Sequence, residues 1–313
     1  MEDFIAALKE RNIEKIKSCP KADLHNHFVL GGSRQYLHQF TGVKIEPVRS
    51  PLKSMNEMHE WNRVNIGEKF EGTEMRKTLI RAAFEQAKED GVTLLEIGED
   101  VWGLQEYFNN NIDELIEAFT EAQREISPET KLRLQIGLLR HCSIGYLEEC
   151  LSHFWGNKAF YSIDLYGDEL AQPIENFKGI YRRAKSEGLR LKAHIGEWGT
   201  AEDVRRAVEE LELDEVQHGI AEINDESVVR FLADNHIRLN ITPTSNVMLG
   251  RVQSMSDHPI GRLYRSGVDV TINSDDILIF DSDVSKEYLR LYEAGCLSAE
   301  ELDSIRRSGL EPR

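Results

Sequence analysis

The sequence predicts an α/β protein: a (β/α)8 TIM barrel, one domain over residues 1–313, with a helical insertion over its C-terminal mouth. Eight short apolar runs, many of them β-branched, alternate with longer segments of 3.6-residue rhythm, as in a parallel sheet covered by helices. Gly91, Gly188 and Gly267 stand just before such runs, where a helix ends and a left-handed residue is wanted. The unusual polar residues fall at the C-terminal ends of the runs, and in a closed barrel those ends form the catalytic rim.

The first run is "ADLHNHF" (22–28), in which His25 and His27 lie two apart and point the same way on an extended chain. The stretch 33–75 follows as the insertion, with "MNEMHEWNRV" placing Met55, Met58 and Trp61 on one helical face as a lid or a packed helix. "EMRKTLIRAAFEQAKED" reads as a helix leading to the second run, "VTLLEIG" (92–98). "IDELIEAFTEAQREI" precedes the third, "LRLQIGLL" (132–139), and "FYSIDLYG" (160–167) is the fourth. The second half supplies "LRLKAHIG" (189–196), the helical "TAEDVRRAVEEL", "DEVQHGI" (214–220), "IRLNITP" (237–243) and "VDVTINS" (268–274). An open doubly wound sheet is the competing architecture. It would carry a glycine-rich phosphate loop after the first strand, and "HFVLGGS" is not one.

Net charge is −17, from 38 basic and 55 acidic residues, so the surface repels phosphate backbones and anionic membranes. Nucleic acid is therefore excluded as a partner, and a small-molecule substrate is expected. The four cysteines form no Cys-x-x-Cys pair and read as reduced thiols. No signal-peptide core and no membrane-spanning run is present, which gives a cytoplasmic expectation.

The rim residues are His25 and His27, which close run one, and Gly167, Asp168 and Glu169, which follow run four. His194 ends run five with Glu197 three residues later, His218 ends run six, Ser245 and Asn246 follow run seven, and Asp275 and Asp276 end run eight. Each alone has a structural explanation, such as a hydrogen-bonded histidine or a helix-capping aspartate. Their convergence on one rim points to a site. Three histidines and a carboxylate suit one Zn²⁺ or a similar divalent ion, which makes hydroxide available at neutral pH. No lysine follows run four to bridge a second ion, so one metal is expected.

Together "PKADLHNH", "IDLYGDE", "KAHIGE", "VQHG", "TPTSN" and "NSDD" resemble the adenosine deaminase family of metal-dependent amidohydrolase barrels. The resemblance implies zinc-dependent hydrolytic deamination of a 6-aminopurine nucleoside. It implies His25, His27, His194 and Asp275 as metal ligands, and Glu197 as the acid that protonates purine N1. His218 would orient the attacking water, Asp276 would bond N7, and the Gly167 amide would meet N3. Adenine deamination and a different mononuclear amidohydrolase reaction remain as alternatives, with a non-catalytic purine sensor behind them. The sequence departs from the family after His27. Val29 and Leu30 stand where nucleoside deaminases carry an acidic residue for the ribose 5′-hydroxyl. Gly98 stands near a frequent arginine, and Ile277 where proline is frequent. His38, His59, His141, His153, His236 and His258 are expected to be structural or solvent-facing, with His141 the one nearest a strand end.

Overall fold

The computed structural model describes residues 3–311, and eight strands run through them in the order β1 to β8, each parallel to the next. They are β1 (Lys21–Asp23), β2 (Val92–Asp100), β3 (Lys131–Leu139), β4 (Phe160–Tyr166), β5 (Arg190–Ile195), β6 (Glu215–His218), β7 (Arg238–Ile241) and β8 (Asp269–Ile272). Helices intervene between successive strands, so the architecture is the (β/α)8 barrel. The three glycines expected before strands have φ values of 67°, 84° and 87° at Gly91, Gly188 and Gly267.

The outer helices form for legible reasons. Ala201–Leu211 starts in a reciprocal capping box between Thr200 and Asp203, and buries Val204, Ala207, Val208 and Leu211 at i, i+3, i+4 and i+7. Burying each such leucine or valine stabilises the fold by roughly 1.5–3 kcal/mol.

Two features depart from the sequence expectation. First, β1 ends at Asp23, so His25 and His27 lie beyond the strand instead of closing it. The ladder stops because the Leu24 N–H is taken by the Asn273 side chain at 2.8 Å. Closure between β8 and β1 is completed by a single bridge, Asn26 to Asp275, with the Asp275 N–H donating to the His25 carbonyl at 2.9 Å. The C-terminal helix Ala299–Leu310 packs across this seam against both strands.

Second, the barrel interior below the rim is charged rather than apolar. Lys192 on β5 bonds Glu96 on β2 at 2.7 Å and Glu215 on β6 at 3.0 Å. Strands β2 and β5 are not neighbours, so the first contact crosses the interior. Ser162 and Asn240 donate to the same two carboxylates.

Candidate active site

At the rim of this barrel, four of the expected residues enclose one point. His25 Nε2 and His27 Nε2 each lie 3.5 Å from Asp275 Oδ1, and His27 Nε2 lies 3.3 Å from His194 Nε2. Two ligands of a tetrahedral ion, each about 2.0–2.1 Å from it, are roughly 3.3 Å apart, so these spacings fit one first-row divalent ion. The far sides of the His25 and His194 rings are engaged. His25 Nδ1 bonds the Asn240 carbonyl at 3.0 Å and His194 Nδ1 bonds Asp164 at 3.3 Å. Both rings are thereby fixed with a proton on Nδ1 and a lone pair on Nε2 facing the shared point. The buried His25 Nε2 has no hydrogen-bond partner, the condition expected of a metal-ligating nitrogen.

Burial, reinforced by the neighbouring histidines, holds His194 well below the usual imidazole range, so it stays neutral and able to ligate. Burial alone would raise Asp275, but His25, His218 and His27 outweigh it and bring the carboxyl down to about 2. Asp275 and His218 both adopt left-handed backbone, with φ of 59° and 65°. Such conformations cost non-glycine residues about 1–3 kcal/mol and concentrate at functional sites.

Glu197 lies beside this cluster with donors on both oxygens: Trp198 Nε1 at 3.0 Å and Asn246 Nδ2 at 3.4 Å. Burial first, then Asp275 and Glu169, push its carboxyl up to about 8. His218 Nδ1 bonds Thr242 at 2.9 Å and meets Asn246 Nδ2 at 3.3 Å. The amide of Asn246 is oriented from behind. His258 Nδ1 accepts the Ile260 N–H, so His258 Nε2 carries a proton and donates to Asn246 Oδ1 at 3.2 Å. Asp276 is buried and its Oδ1 has no protein partner, while burial, Asp275 and Glu197 raise it well above the carboxylate range.

His27, His194, Glu197, His218, Asp275 and Asp276 face a cavity of about 540 Å³, whose lining also includes Gly167, Val29, Leu30, Asp100 and Gln135. The family profile described as adenosine deaminase matches residues 20–312. The chain belongs to the adenosine deaminase family. Among its relatives is a putative adenosine/adenine deaminase of Treponema pallidum, 32% identical over 95% of this chain and 100% of that one. Two solved structures share the fold. An adenine deaminase from Arthrobacter aurescens has a TM-score of 0.78 and 23% identity, over 94% of each chain. An Arabidopsis N6-mAMP deaminase has a TM-score of 0.75 and 18% identity, over 94% of this chain and 92% of its own.

The adenosine deaminase family is metal-dependent, and His27, His194, Glu197, His218, Asp275 and Asp276 line the same rim cavity, while His25 groups with His27 and Asp275 and also with His194 and His218. Gly167 is there too, and its φ of 90° is the constraint on that position, since an added Cβ would make only ordinary contacts. The insertion helix, Met55–Asn65, covers the mouth with Met55, Met58, His59 and Asn62. Trp61 turns away to an outer groove with Leu52 and Val64, so the expected three-residue face is split. His59 and His141 line the cavity, contrary to the expectation of a purely structural or solvent-facing place. Sequence reasoning left Asp164 and His258 without functional roles. Asp164 could have been found from its inward register two residues before Tyr166, whereas nothing local marks His258.

Proposed function

We propose that this protein is a zinc-dependent aminohydrolase that converts a 6-aminopurine nucleoside to its 6-oxo product and ammonia. The observation that carries this reading is the buried Glu197, pushed up to about 8, beside a cluster in which His25 groups with His27 and Asp275 and also with His194 and His218. His25, His27, His194 and Asp275 would hold a divalent ion, which would supply hydroxide at neutral pH by lowering the pKa of water to near 7. Attack at C6 makes that carbon tetrahedral, and the ring stays neutral only if N1 receives a proton. Glu197, protonated below about pH 8, delivers it. Trp198 and Asn246 fix the plane of its carboxyl group for that transfer. His218 orients the attacking water; the C6–N bond then breaks as the proton of the new C6 hydroxyl passes to the exocyclic nitrogen, which leaves as ammonia and gives the 6-oxo ring. Asp276, with an unpartnered oxygen and a raised pKa, can carry a proton to bond N7, a ring nitrogen that only accepts. The Gly167 amide serves N3.

The relatives differ in what their names say they act on: adenosine or adenine, adenine, and N6-mAMP. Three features favour a nucleoside without a 5′ charge. Val29 and Leu30 put an apolar wall where the family's carboxylate would bind a 5′-hydroxyl. Glu99 is paired with Arg76, and Asp100 accepts the Tyr166 hydroxyl, so neither compensates for that carboxylate. The cations along the cavity, Arg76 and Arg63, are engaged by Glu99 and Glu60, which disfavours a 5′-phosphate.

Ammonia release from adenosine, measured together with metal content, tests the reading. One zinc per chain with activity, and loss of both in His194→Ala, is the expected result. Two metals per chain, or full activity in metal-free protein, would contradict it.

A further inference from the structure

The chemistry above gives no contact with substrate or metal to the buried carboxylate of Glu169 at the rim. In "YGDE", Asp168 is exposed and caps its own turn by accepting the Leu170 N–H at 2.9 Å. Glu169 turns inward and is 4% exposed. Its Oε1 accepts the N–H of Gly196 at 2.8 Å, and its Oε2 accepts those of Glu197 at 3.2 Å and Trp198 at 2.7 Å. Three successive backbone donors therefore wrap one carboxylate, the arrangement in which a chain ordinarily cradles an anion. The wrapping needs glycine on either side. Gly196 has φ of 79°, and a Cβ on Gly199 would lie 2.5 Å from Glu169 Oε1.

We propose that Glu169 is a positioning residue for catalysis: its carboxylate, clamped in the amides of residues 196–198, fixes the loop that carries Glu197 relative to the histidine cluster. The inference rests on the deaminase reading given above. His194 is fixed by strand β5, but Glu197 lies beyond that strand's end, where no ladder holds it. The clamp from β4 supplies what the ladder does not. It acts twice, because the Trp198 backbone it holds also places the indole that donates to Glu197 Oε2. Displacing a reacting group by about 1 Å can cost 10²-fold in rate, and that is the scale expected for losing this clamp.

Glu169→Gln tests it. The amide keeps the size of the side chain but turns one acceptor oxygen into a donor facing backbone N–H groups. We expect kcat for adenosine to fall about 10²-fold. KM should stay within about threefold and metal content at one per chain, because neither the ring contacts nor the ligands depend on Glu169. On a Glu197→Gln background the same change should lower kcat no further, since Glu169 acts through Glu197. Amide exchange at residues 196–198 should quicken at least tenfold, on the estimate of a loosened local segment. An unchanged kcat, an equal further loss on the Glu197→Gln background, or unaltered exchange would each overturn the proposal. If Glu169→Gln does not fold, Glu169→Asp keeps both oxygens but withdraws them by a methylene, and the same three readouts apply. If the wild type releases no ammonia from aminopurines, the deaminase reading fails. Unchanged exchange with an active wild type instead removes Glu169 alone.

Discussion

Glu197 and Asp275 are two carboxyl groups of one cavity driven in opposite directions. Burial lifts Glu197 to about 8, whereas three surrounding histidines overcome burial and bring Asp275 to about 2. Such divergence assigns an acid and a ligand among otherwise similar side chains. For Glu197 the protonated form is the working one. It is fully present below the raised pKa and lost above it, so kcat/KM should decline as pH rises through about 8. Glu197→Gln should keep metal and KM within a few fold yet lose about 10²–10⁴ in kcat, as removal of a general acid does. A variant within tenfold of wild type, by steady-state ammonia release, would remove Glu197 from that role.

At the scale of elements, the strands were legible because apolar runs bounded by glycine leave few alternatives, and seven of the eight observed strands end within about three residues of their expected ends. The exception was the end of β1. The pair His25 and His27 reads as strand because any extended backbone sends i and i+2 to one side, while the side chain of Asn273, far off in sequence, decides where the ladder stops. The same limit hides the contacts of Glu169, a rim residue whose partners lie 27 to 29 residues away, and the place of His258, whose partner lies 12 residues away. The insertion helix Met55–Asn65 was placed correctly, but its faces were not: it buries no residue completely, and Met58 rather than Trp61 looks into the cavity. Met58→Ser should therefore weaken substrates with an apolar 5′ end selectively. With about 0.8 kcal/mol for each buried CH₂, several-fold to about tenfold in kcat/KM for 5′-deoxyadenosine is expected. Equal losses for adenine and 5′-deoxyadenosine would place Met58 away from the 5′ end.

Across the whole molecule, charged residues inside a barrel set its stability. Charges at Glu96, Lys192 and Glu215 were visible within otherwise apolar runs, but nothing in the sequence says that they meet in the interior. Lys192→Met leaves two buried carboxylates without their shared cation and should destabilise the fold by about 3–5 kcal/mol in denaturant titration. Less than about 1 kcal/mol would deny that this contact is buried. Glu222 works in the opposite sense. Both its oxygens are buried without partners, and burial raises its carboxyl to about 8. The folded chain then holds a proton that the unfolded chain releases near pH 4.5, so stability falls as pH rises from about 4.5 to 8. Glu222→Gln should remove that slope and raise Tm relative to wild type at pH 8 more than at pH 5; an equal difference at both would contradict it. The central claim, a metal-dependent deaminase of nucleosides indifferent to the 5′-hydroxyl, is tested most directly by kcat/KM for adenosine, 5′-deoxyadenosine and adenine on one zinc-loaded preparation. The two nucleosides should lie within about tenfold of each other and both above adenine, because no buried acceptor is left unpaired by the missing hydroxyl. Adenosine exceeding its 5′-deoxy analogue by more than about a hundredfold, or adenine as the preferred substrate, would contradict it.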